Sequence, residues 1–289
     1  MASEVEVVVR GADRLGECPL WDEREGALWW VDSRWPAVKR LDPSGGAVTM
    51  LVLPEIVGSI AFRERGGMLA ATKRGLHLLD PSTGALEARV NPEPEKPDNR
   101  FNDGRCDRAG RFWAGSMSDV NRDPTGSLYR FDADYSHAKL KNAIIIPNSL
   151  AFSPDGTTMY FADTNRHVIW AYDYDPASGA ATGERVFVDT GSGRPDGSCV
   201  DAEGCLWNAE YGARRLVRYS PTGKVDRIIE LPVANVTCCC FGGDDLGTLY
   251  VTSATQRMSP EDLAKQPLAG SVFAVRPGVK GLPESRFAG

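Results

Sequence analysis

Apolar residues occur along this 289-residue chain in short runs that are separated by turn residues. Turn signals recur at intervals of about eight to twelve residues, which is the spacing expected for short strands in an all-β fold. No long segment has the three- and four-residue apolar spacing of an amphipathic helix. The one helical candidate is the short segment Pro260–Lys265. The pattern therefore predicts an all-β protein.

A repeating unit begins with a six-residue segment whose fifth position is apolar. The six fifth positions are Trp21, Phe62, Cys106, Phe152, Val200 and Phe241. A glycine-bearing turn and an apolar strand follow each segment, and a third strand and in most units a fourth complete the unit. A repeat of about forty to fifty residues indicates a repeat architecture. Six units of about four strands predict a six-bladed β-propeller, and their near-constant spacing disfavours the alternative of paired β-sandwiches.

The segment Val5–Val9 has the pattern of an additional strand before the first unit. We predict that it pairs into the last unit and closes the ring, which would leave few strand edges exposed. The whole chain, 1–289, is then expected to form a single propeller domain.

Charge and composition narrow the choice of partners. The formal net charge is −6 and the isoelectric point is near 5.3, which disfavours nucleic acid and anionic membranes, since both bind clustered Lys and Arg. The acidic N-terminus, Met1–Arg10, does not have the pattern of a signal peptide, so a cytoplasmic location is expected. The seven cysteines include the run Cys238–Cys240 but form no Cys-x-x-Cys pair, and we expect them to be reduced and buried.

The residue that opens each innermost strand of a propeller lies at the mouth of the central channel. In chain order, these column positions are Glu17, Gly58, Asn102, Asn148, Asp196 and Thr237. Carboxylate and amide oxygens, which occupy four of the six, are the ligands that hard divalent cations prefer. Asp and Asn also open strands for purely local reasons, because their side chains bond the following backbone. Glu17 does not fit that alternative, and we predict a metal site at the channel mouth.

Two further features lie near this column. Arg100 would overhang the channel mouth and could donate to an oxygen-rich substrate, or it could be a surface arginine paired with Asp98 or Asp103. The strand tryptophans are predicted to lie in the core, whereas Trp35 lies in a loop and could form part of a rim.

Six short motifs, in order and in matching repeat positions, resemble the senescence-marker-protein/gluconolactonase family, which includes regucalcin and bacterial sugar lactonases. The motifs are Gly16-Glu17-Cys18-Pro19, Arg100-Phe101-Asn102-Asp103-Gly104, Pro147-Asn148-Ser149-Leu150, Pro195-Asp196-Gly197, Cys239-Cys240-Phe241-Gly242-Gly243 and Gln266-Pro267-Leu268-Ala269-Gly270. The resemblance spans nearly the whole chain. It implies a six-bladed propeller that hydrolyses a sugar lactone to the aldonic acid.

The resemblance also implies a set of site residues. One divalent ion, with Ca²⁺, Zn²⁺, Mn²⁺, Mg²⁺ and Fe²⁺ as candidates, would be held by Glu17, Asn148 and Asp196. Substrate would contact Arg100 and Asn102. The partner would be a small sugar lactone, and the protein is expected to be a monomer or a weak homo-oligomer.

Three positions depart from the family pattern. The loop 116–125 is shorter than in animal regucalcin, and Asp119 is the nearby candidate for a substrate-binding glutamate of that loop. A lysine of the site has no clear equivalent, with Lys139 and Lys141 nearby. Glu210 stands where an uncharged residue is expected, and it would either bond a sugar hydroxyl or face solvent.

The mechanistic hypothesis makes the ion a Lewis acid and Asp196 the general base that takes a proton from the attacking water. Two other functions stay open at this point. One is a non-catalytic propeller, either a calcium-binding regulator or a protein-interaction platform. The other is an esterase or lactonase of the paraoxonase type.

Overall fold

The computed structural model describes residues 4–289, and it confirms a six-bladed β-propeller built from six four-stranded antiparallel sheets. The predicted domain limits, 1–289, include residues 1–3, which lie outside the described range. Strand β1 is Val5–Val9. Blade one contains β2 Gly16–Asp22, β3 Ala27–Asp32, β4 Ala37–Asp42 and β5 Ala47–Val52. Blade two contains β6 Val57–Phe62, β7 Met68–Thr72, β8 Gly75–Leu79 and β9 Leu86–Val90.

The remaining blades follow in chain order. Blade three contains β10 Asn99–Cys106, β11 Phe112–Ser118, β12 Gly126–Phe131 and β13 His137–Ile144. Blade four contains β14 Pro147–Phe152, β15 Thr158–Asp163, β16 Val168–Asp175 and β17 Ala180–Asp189. Blade five contains β18 Pro195–Val200, β19 Leu206–Glu210, β20 Arg215–Tyr219 and β21 Val225–Glu230. Blade six contains β22 Val236–Gly242, β23 Thr248–Ser253 and β24 Val272–Val275.

The N-terminal strand closes the ring, as the sequence predicts. Strand β1 pairs antiparallel with β24, placing Val5 opposite Val275 and Val7 opposite Phe273. The sixth sheet therefore joins the two ends of the chain in one hydrogen-bonded unit. This arrangement ties the first blade to the last, because β2 of blade one also contacts β22 of blade six.

The first strand of each blade faces the channel, and each of these strands has an irregularity at its column position. The strand register shifts between Glu17 and Leu20 in β2, between Asn148 and Ala151 in β14, and between Pro195 and Ser198 in β18. Strands β6, β10 and β22 have the same irregularity at the equivalent place. A bulge of this kind bends a strand and redirects a side chain. Each inner strand thus begins with one residue that departs from regular pairing.

Apolar side chains fill the six interfaces between neighbouring blades. Each interface has its own buried cluster, and Trp207 and Phe241 lie in the cluster between blades five and six. All six repeated fifth positions are buried, with exposures from 3% to 7%. The strand tryptophans Trp21, Trp29, Trp113 and Trp207 are buried as predicted, and Trp35 is 54% exposed. The seven cysteines are buried and free, as expected.

A buried aspartate holds the hairpin that joins β18 to β19. The Oδ1 atom of Asp201 accepts hydrogen bonds from the backbone N–H groups of Glu203 and Cys205, each at 3.0 Å. Its Oδ2 atom accepts from Trp207 Nε1 at 2.9 Å and from Arg218 Nε at 2.8 Å. Gly204 completes the turn at a φ of 81°, a conformation that glycine adopts without steric cost. This side chain therefore joins the turn to the core of its blade.

The C-terminal segment covers the end of the channel opposite the column. Phe287 is fully buried and pairs through its backbone with Arg63, just beyond β6. Glu284 forms an ion pair with Arg105, which follows the column position of β10. The channel is therefore open at the column end and covered at the other.

Helical structure is confined to two short segments within residues 4–289. Helix α1, Pro260–Lys265, is the helix that the sequence predicts, and Ser259 caps it by accepting from Asp262 N–H. A 3₁₀ turn, Thr164–Arg166, follows β15 and was not predicted. No helix in the described residues is both long and apolar enough to cross a membrane.

Replacing a core tryptophan should destabilise the ring far more than replacing the exposed one. We expect Trp207→Ala to lower the free energy of unfolding by about 3–5 kcal/mol, because it leaves a cavity between blades five and six. Trp35→Ala is the matched control and should change it by no more than about 0.5 kcal/mol. Urea unfolding followed by circular dichroism measures both, and equal losses would contradict the packing described.

Candidate active site at the channel mouth

A pocket opens at the column end of the channel. Five residues that the sequence singles out line it: Glu17, Arg100, Asn102, Asn148 and Asp196. They come from blades one, three, four and five, and the ring brings their side chains together. The rest of the lining is Leu15, Met117, Arg122, Ile146, Thr164, Arg194, Tyr211, Gln256 and Arg257.

The two column residues without oxygen-rich side chains have structural reasons for their identity. A Cβ atom at Gly58 would lie 2.4 Å from the carbonyl oxygen of Phe101, so a side chain cannot fit against β10 there. Thr237 donates a short hydrogen bond to the carbonyl oxygen of Gly16 and lies 2.9 Å from the hydroxyl of Thr252. These positions lie at contacts between neighbouring blades, so at these two blades the column position itself adds no carboxylate or amide to the pocket.

Glu17 and Asp196 are two carboxylates without a cationic partner in contact. Asp196 is 5% exposed, and neither side chain forms an ion pair with any residue in the range 4–289. Burial raises the pKa of Glu17 well above its usual value, and the negative charge of Asp196 raises it further. Burial also raises the pKa of Asp196, with a further contribution from Asp103. Their ionised forms are therefore unfavourable unless a cation offsets the charge.

Asn148 is held by hydrogen bonds on both sides of its amide. Its Nδ2 donates to Thr164 Oγ1 at 2.7 Å, and Thr164 Oγ1 in turn donates to the carbonyl oxygen of Pro195 at 2.7 Å. Its Oδ1 accepts from Asn102 Nδ2 at 2.9 Å. An amide oxygen has a second lone pair, so Oδ1 can accept another partner in the pocket.

Arg100 is buried and oriented by three acceptors. Its Nε donates to Asp119 at 3.0 Å, and one terminal nitrogen donates to Asn102 Oδ1 at 2.8 Å and to the carbonyl oxygen of Phe101 at 2.9 Å. Burial and the nearby charge of Arg34 lower the pKa of Arg100 to about 10, against the effect of Asp119. The guanidinium group thus has a fixed position at the pocket wall.

Asp119 contacts the pocket through Arg100. Its carboxylate bridges Arg100 and Arg34, the latter at 2.7 Å, and these two cations hold the pKa of Asp119 below its usual value despite partial burial. It is not among the residues that line the pocket.

The structure does not bring Glu210 into the pocket, and it does not leave it facing solvent either. The side chain is 1% exposed and pairs with Arg215 at 2.7 Å. It also accepts from the hydroxyl of Tyr219 at 3.3 Å. Of the two candidate lysines, Lys141 pairs with Glu184 and Lys139 lies over the ring of Tyr129, so neither lines the pocket.

Sequence reasoning missed several residues of the pocket. Arg194 lies two positions before Asp196, and this closeness in sequence could have indicated that it lines the pocket. Thr164, Arg122, Gln256 and Arg257 come from turns and loops, whose paths the repeat pattern does not specify. Asp103 was seen as part of a motif. It is a further carboxylate beside the pair, and burial raises its pKa. Its Oδ2 accepts a hydrogen bond from Leu150 N–H at 2.8 Å, which opposes that rise.

The donor set fits a hard divalent cation. Residues 4–289 contain no group of three His, Cys, Asp or Glu side chains placed to hold a metal ion. The site in question instead combines two carboxylates with an amide oxygen, an all-oxygen set of the kind that Ca²⁺, Mg²⁺ and Mn²⁺ accept. Two buried carboxylates with no cation between them are expected to have raised pKa values, and both Glu17 and Asp196 do.

Comparison with known proteins assigns the family. The family model described as the SMP-30/gluconolactonase/LRE-like region matches residues 15–255, which is most of the chain. The chain belongs to this family. The resemblance drawn from the six motifs is thereby confirmed.

Relatives of this family match along their full length. A 6-deoxy-6-sulfogluconolactonase from Pseudomonas putida is 41% identical over 292 residues, covering 100% of both chains. Regucalcin from Xenopus laevis is 37% identical over 295 residues, covering 99% of each. Among solved structures, the calcium-binding protein regucalcin from Agrobacterium tumefaciens superimposes with a TM-score of 0.95 at 34% identity, covering 99% of this chain and 98% of that one. Sugar lactonases and a calcium-binding protein are thus both among the family's members.

The two carboxylates should make the metal-free protein's stability depend on pH in a defined direction. At low pH both are protonated in the folded and unfolded states. As the pH rises, the unfolded chain ionises first, so the folded state loses stability until the pH passes the raised pKa of Glu17. We therefore expect Glu17→Gln to become progressively more stable than the wild type, in EDTA, as the pH rises from about 4 to 8.

Thermal melting in EDTA across this pH range measures that difference. Glu64→Gln is the matched control. Glu64 is an exposed carboxylate that follows the C-terminal end of β6, away from the pocket, and this variant should show no such trend. A difference in melting temperature between Glu17→Gln and the wild type that stays constant at every pH would contradict the raised pKa of Glu17.

Proposed function

We propose that this protein hydrolyses a sugar lactone to the aldonic acid with the aid of one divalent ion at the channel mouth. The observation that carries the proposal is the meeting of Glu17, Asn148 and Asp196 in one pocket with Arg100 and Asn102. Family membership supports lactone chemistry, since a sugar lactonase is among the relatives that match along the whole chain.

Glu17, Asn148 and Asp196 are the residues that would hold the ion. Bound there, it would supply Lewis-acid polarisation of the lactone carbonyl and would offset the negative charge of the two carboxylates. The identity of the ion is not specified by this donor set, because carboxylate and amide oxygens accept several divalent cations.

Asp196 is the group we assign as general base. A carboxylate that is bound to a metal ion is a weak base, so the ion would have to supply much of the activation of the attacking water. The water oxygen forms a bond to the lactone carbonyl carbon as its proton passes to the Asp196 carboxylate. The ring C–O bond then breaks, and the departing ring oxygen takes the proton from Asp196, which restores the carboxylate and leaves a hydroxyl group on the carbon chain of the aldonic acid.

Arg100 and Asn102 would position the substrate. The Arg100 guanidinium is held by Asp119, Asn102 and a backbone carbonyl, so it needs little reorganisation when it meets an oxygen-rich ligand. Donors that are already in place can also stabilise negative charge that develops on the carbonyl oxygen.

Removing either carboxylate should abolish metal-dependent turnover. We expect Asp196→Ala and Glu17→Gln to lower kcat/KM for gluconolactone by roughly 10² to 10⁴, the range typical for loss of an acid–base group. EDTA should do the same to the wild type, and added Ca²⁺, Mn²⁺ or Zn²⁺ should restore it. A pH-stat assay with gluconolactone, xylonolactone and arabinonolactone measures the rates.

The control for this experiment is Glu64→Gln, which should hydrolyse at the wild-type rate. Variants that hydrolyse as fast as the wild type, or full activity in EDTA, would refute the assignment.

Replacing Arg100 by lysine tests the positioning role separately from charge. Lysine keeps the positive charge but loses the planar set of donors that bonds Asp119 and Asn102 together. We expect Arg100→Lys to raise KM by about tenfold and to change kcat less. Steady-state kinetics separate the two constants, and an unchanged KM would argue against contact with substrate.

A second candidate function is calcium binding without turnover. The full-length similarity to a calcium-binding regucalcin favours it. It predicts Ca²⁺ binding, measurable by calorimetry and lost in Asp196→Ala, with no hydrolysis of any lactone or of paraoxon under any metal. Hydrolysis of paraoxon in preference to sugar lactones would instead favour an esterase of the paraoxonase type.

A further inference from the structure

The rim of the pocket is rich in arginine although the protein is acidic overall. Three guanidinium groups in addition to Arg100 line the pocket, those of Arg122, Arg194 and Arg257. The chain carries a formal net charge of −6, so this cluster runs against the average surface charge. A local concentration of one sign in a cleft raises the local concentration of ligands of the opposite sign.

The three rim arginines converge from separate loops. Arg122 lies between β11 and β12 of blade three, Arg194 immediately before β18 of blade five, and Arg257 between β23 and α1 of blade six. The folded ring therefore creates the cluster, and the sequence contains no run of basic residues that would predict it.

None of the three forms an ion pair with a residue in the range 4–289. Asp119, whose negative charge acts on Arg122, is already shared between Arg34 and Arg100. Burial lowers the pKa of Arg122, and the positive charges of Arg257, Arg34 and Arg194 lower it further. The guanidinium groups are thus close enough to repel one another, and an anionic ligand would relieve that repulsion.

Two of the groups are positioned by neighbouring side chains and backbone. Arg194 lies over the ring of Tyr211, with its guanidinium carbon 5.1 Å from the ring centre. Tyr211 in turn donates from its hydroxyl to the carbonyl oxygen of Gln256 at 3.0 Å, next to Arg257. Arg257 has a φ of 64°, which non-glycine residues seldom adopt. The Arg194 side chain is therefore held in place by Tyr211, whereas Arg257 is exposed and is placed at the rim by its backbone.

We propose that Arg122, Arg194 and Arg257 bind an anionic group, a phosphate or a sulfonate, on the end of the sugar lactone remote from its reacting carbonyl. This inference rests on the proposed function and names its substrate class. The three oxygens of such a group can each accept from a guanidinium, and converging arginines suit that geometry. With the carbonyl directed to Glu17, Asn148 and Asp196, the anionic end would meet the three arginines, which are more exposed than Asp196.

Substrate preference tests the proposal directly. We expect wild-type kcat/KM for phosphogluconolactone or sulfogluconolactone to exceed that for uncharged gluconolactone by roughly tenfold or more, and the excess to shrink as salt is added. Comparing the phosphate, sulfonate and carboxylate forms identifies which anion fits. Equal values for charged and uncharged lactones would overturn the proposal.

Variants at the rim assign the preference to these residues. Arg122→Gln and Arg257→Gln should each lower the ratio of charged to uncharged kcat/KM by about tenfold, whereas Arg122→Lys should retain part of it. Arg65→Gln is the matched control. Arg65 is exposed in the turn after β6, at the end of the strand away from Gly58 and the pocket, so this variant should leave both rates unchanged. A loss of equal size for charged and uncharged lactones in the rim variants would mean that they act on folding or general binding.

Binding of the product acids separates this inference from the proposed function. Calorimetry with phosphogluconate, sulfogluconate and gluconate requires no turnover. Tighter binding of the charged acids, weakened in Arg122→Gln, would support the anion site even if no lactone were hydrolysed. Hydrolysis of lactones together with equal binding of charged and uncharged acids would support the proposed function and overturn the anion site.

Discussion

The arrangement of the pocket depends on the repulsion between Glu17 and Asp196, two carboxylates that the ring forces together. They lie on β2 and β18, in blades one and five, and each raises the cost of ionising the site. Apolar clusters at every blade interface fix the strands that carry the pair, so protonation or a bound cation must remove the repulsion. The packing that closes the ring therefore maintains a site that is unfavourable without a cation.

The departures from sixfold repetition explain why the pocket is asymmetric. Gly58 has no room for a side chain because the backbone of β10 lies against it, and Thr237 bonds across to Gly16. At these two blades the column position contributes contacts between blades, whereas at the other four it contributes a carboxylate or amide side chain. The same bulge recurs at all six positions, so the backbone geometry is shared and the side chain alone decides the role.

Those features of the fold that the sequence repeat determines could be predicted from the sequence alone. The blade count, the closure by Val5–Val9 and the burial of the repeated apolar positions follow from alternation and spacing. Convergence of Glu17, Asn148 and Asp196 follows from their shared place in the repeat. The partners of Asp119 and Glu210 do not, because each depends on an arginine whose position is set by the paths of loops or by the register of a neighbouring strand. The rim arginines were missed for the same reason.

Charge is distributed along the channel in layers, and the layers have different origins. The negative layer, Glu17 and Asp196, is built on strands, which hold reacting groups in place with little freedom. The positive layer, apart from Arg100 on β10, comes from loops, which can vary in length and sequence without disturbing the ring. A lactone entering this field would be oriented by both layers at once, its carbonyl toward the strand residues and its remote end toward the loops. Under the proposed function, the chemistry would reside in the repeated part of the fold, and the choice of substrate in the part that does not repeat.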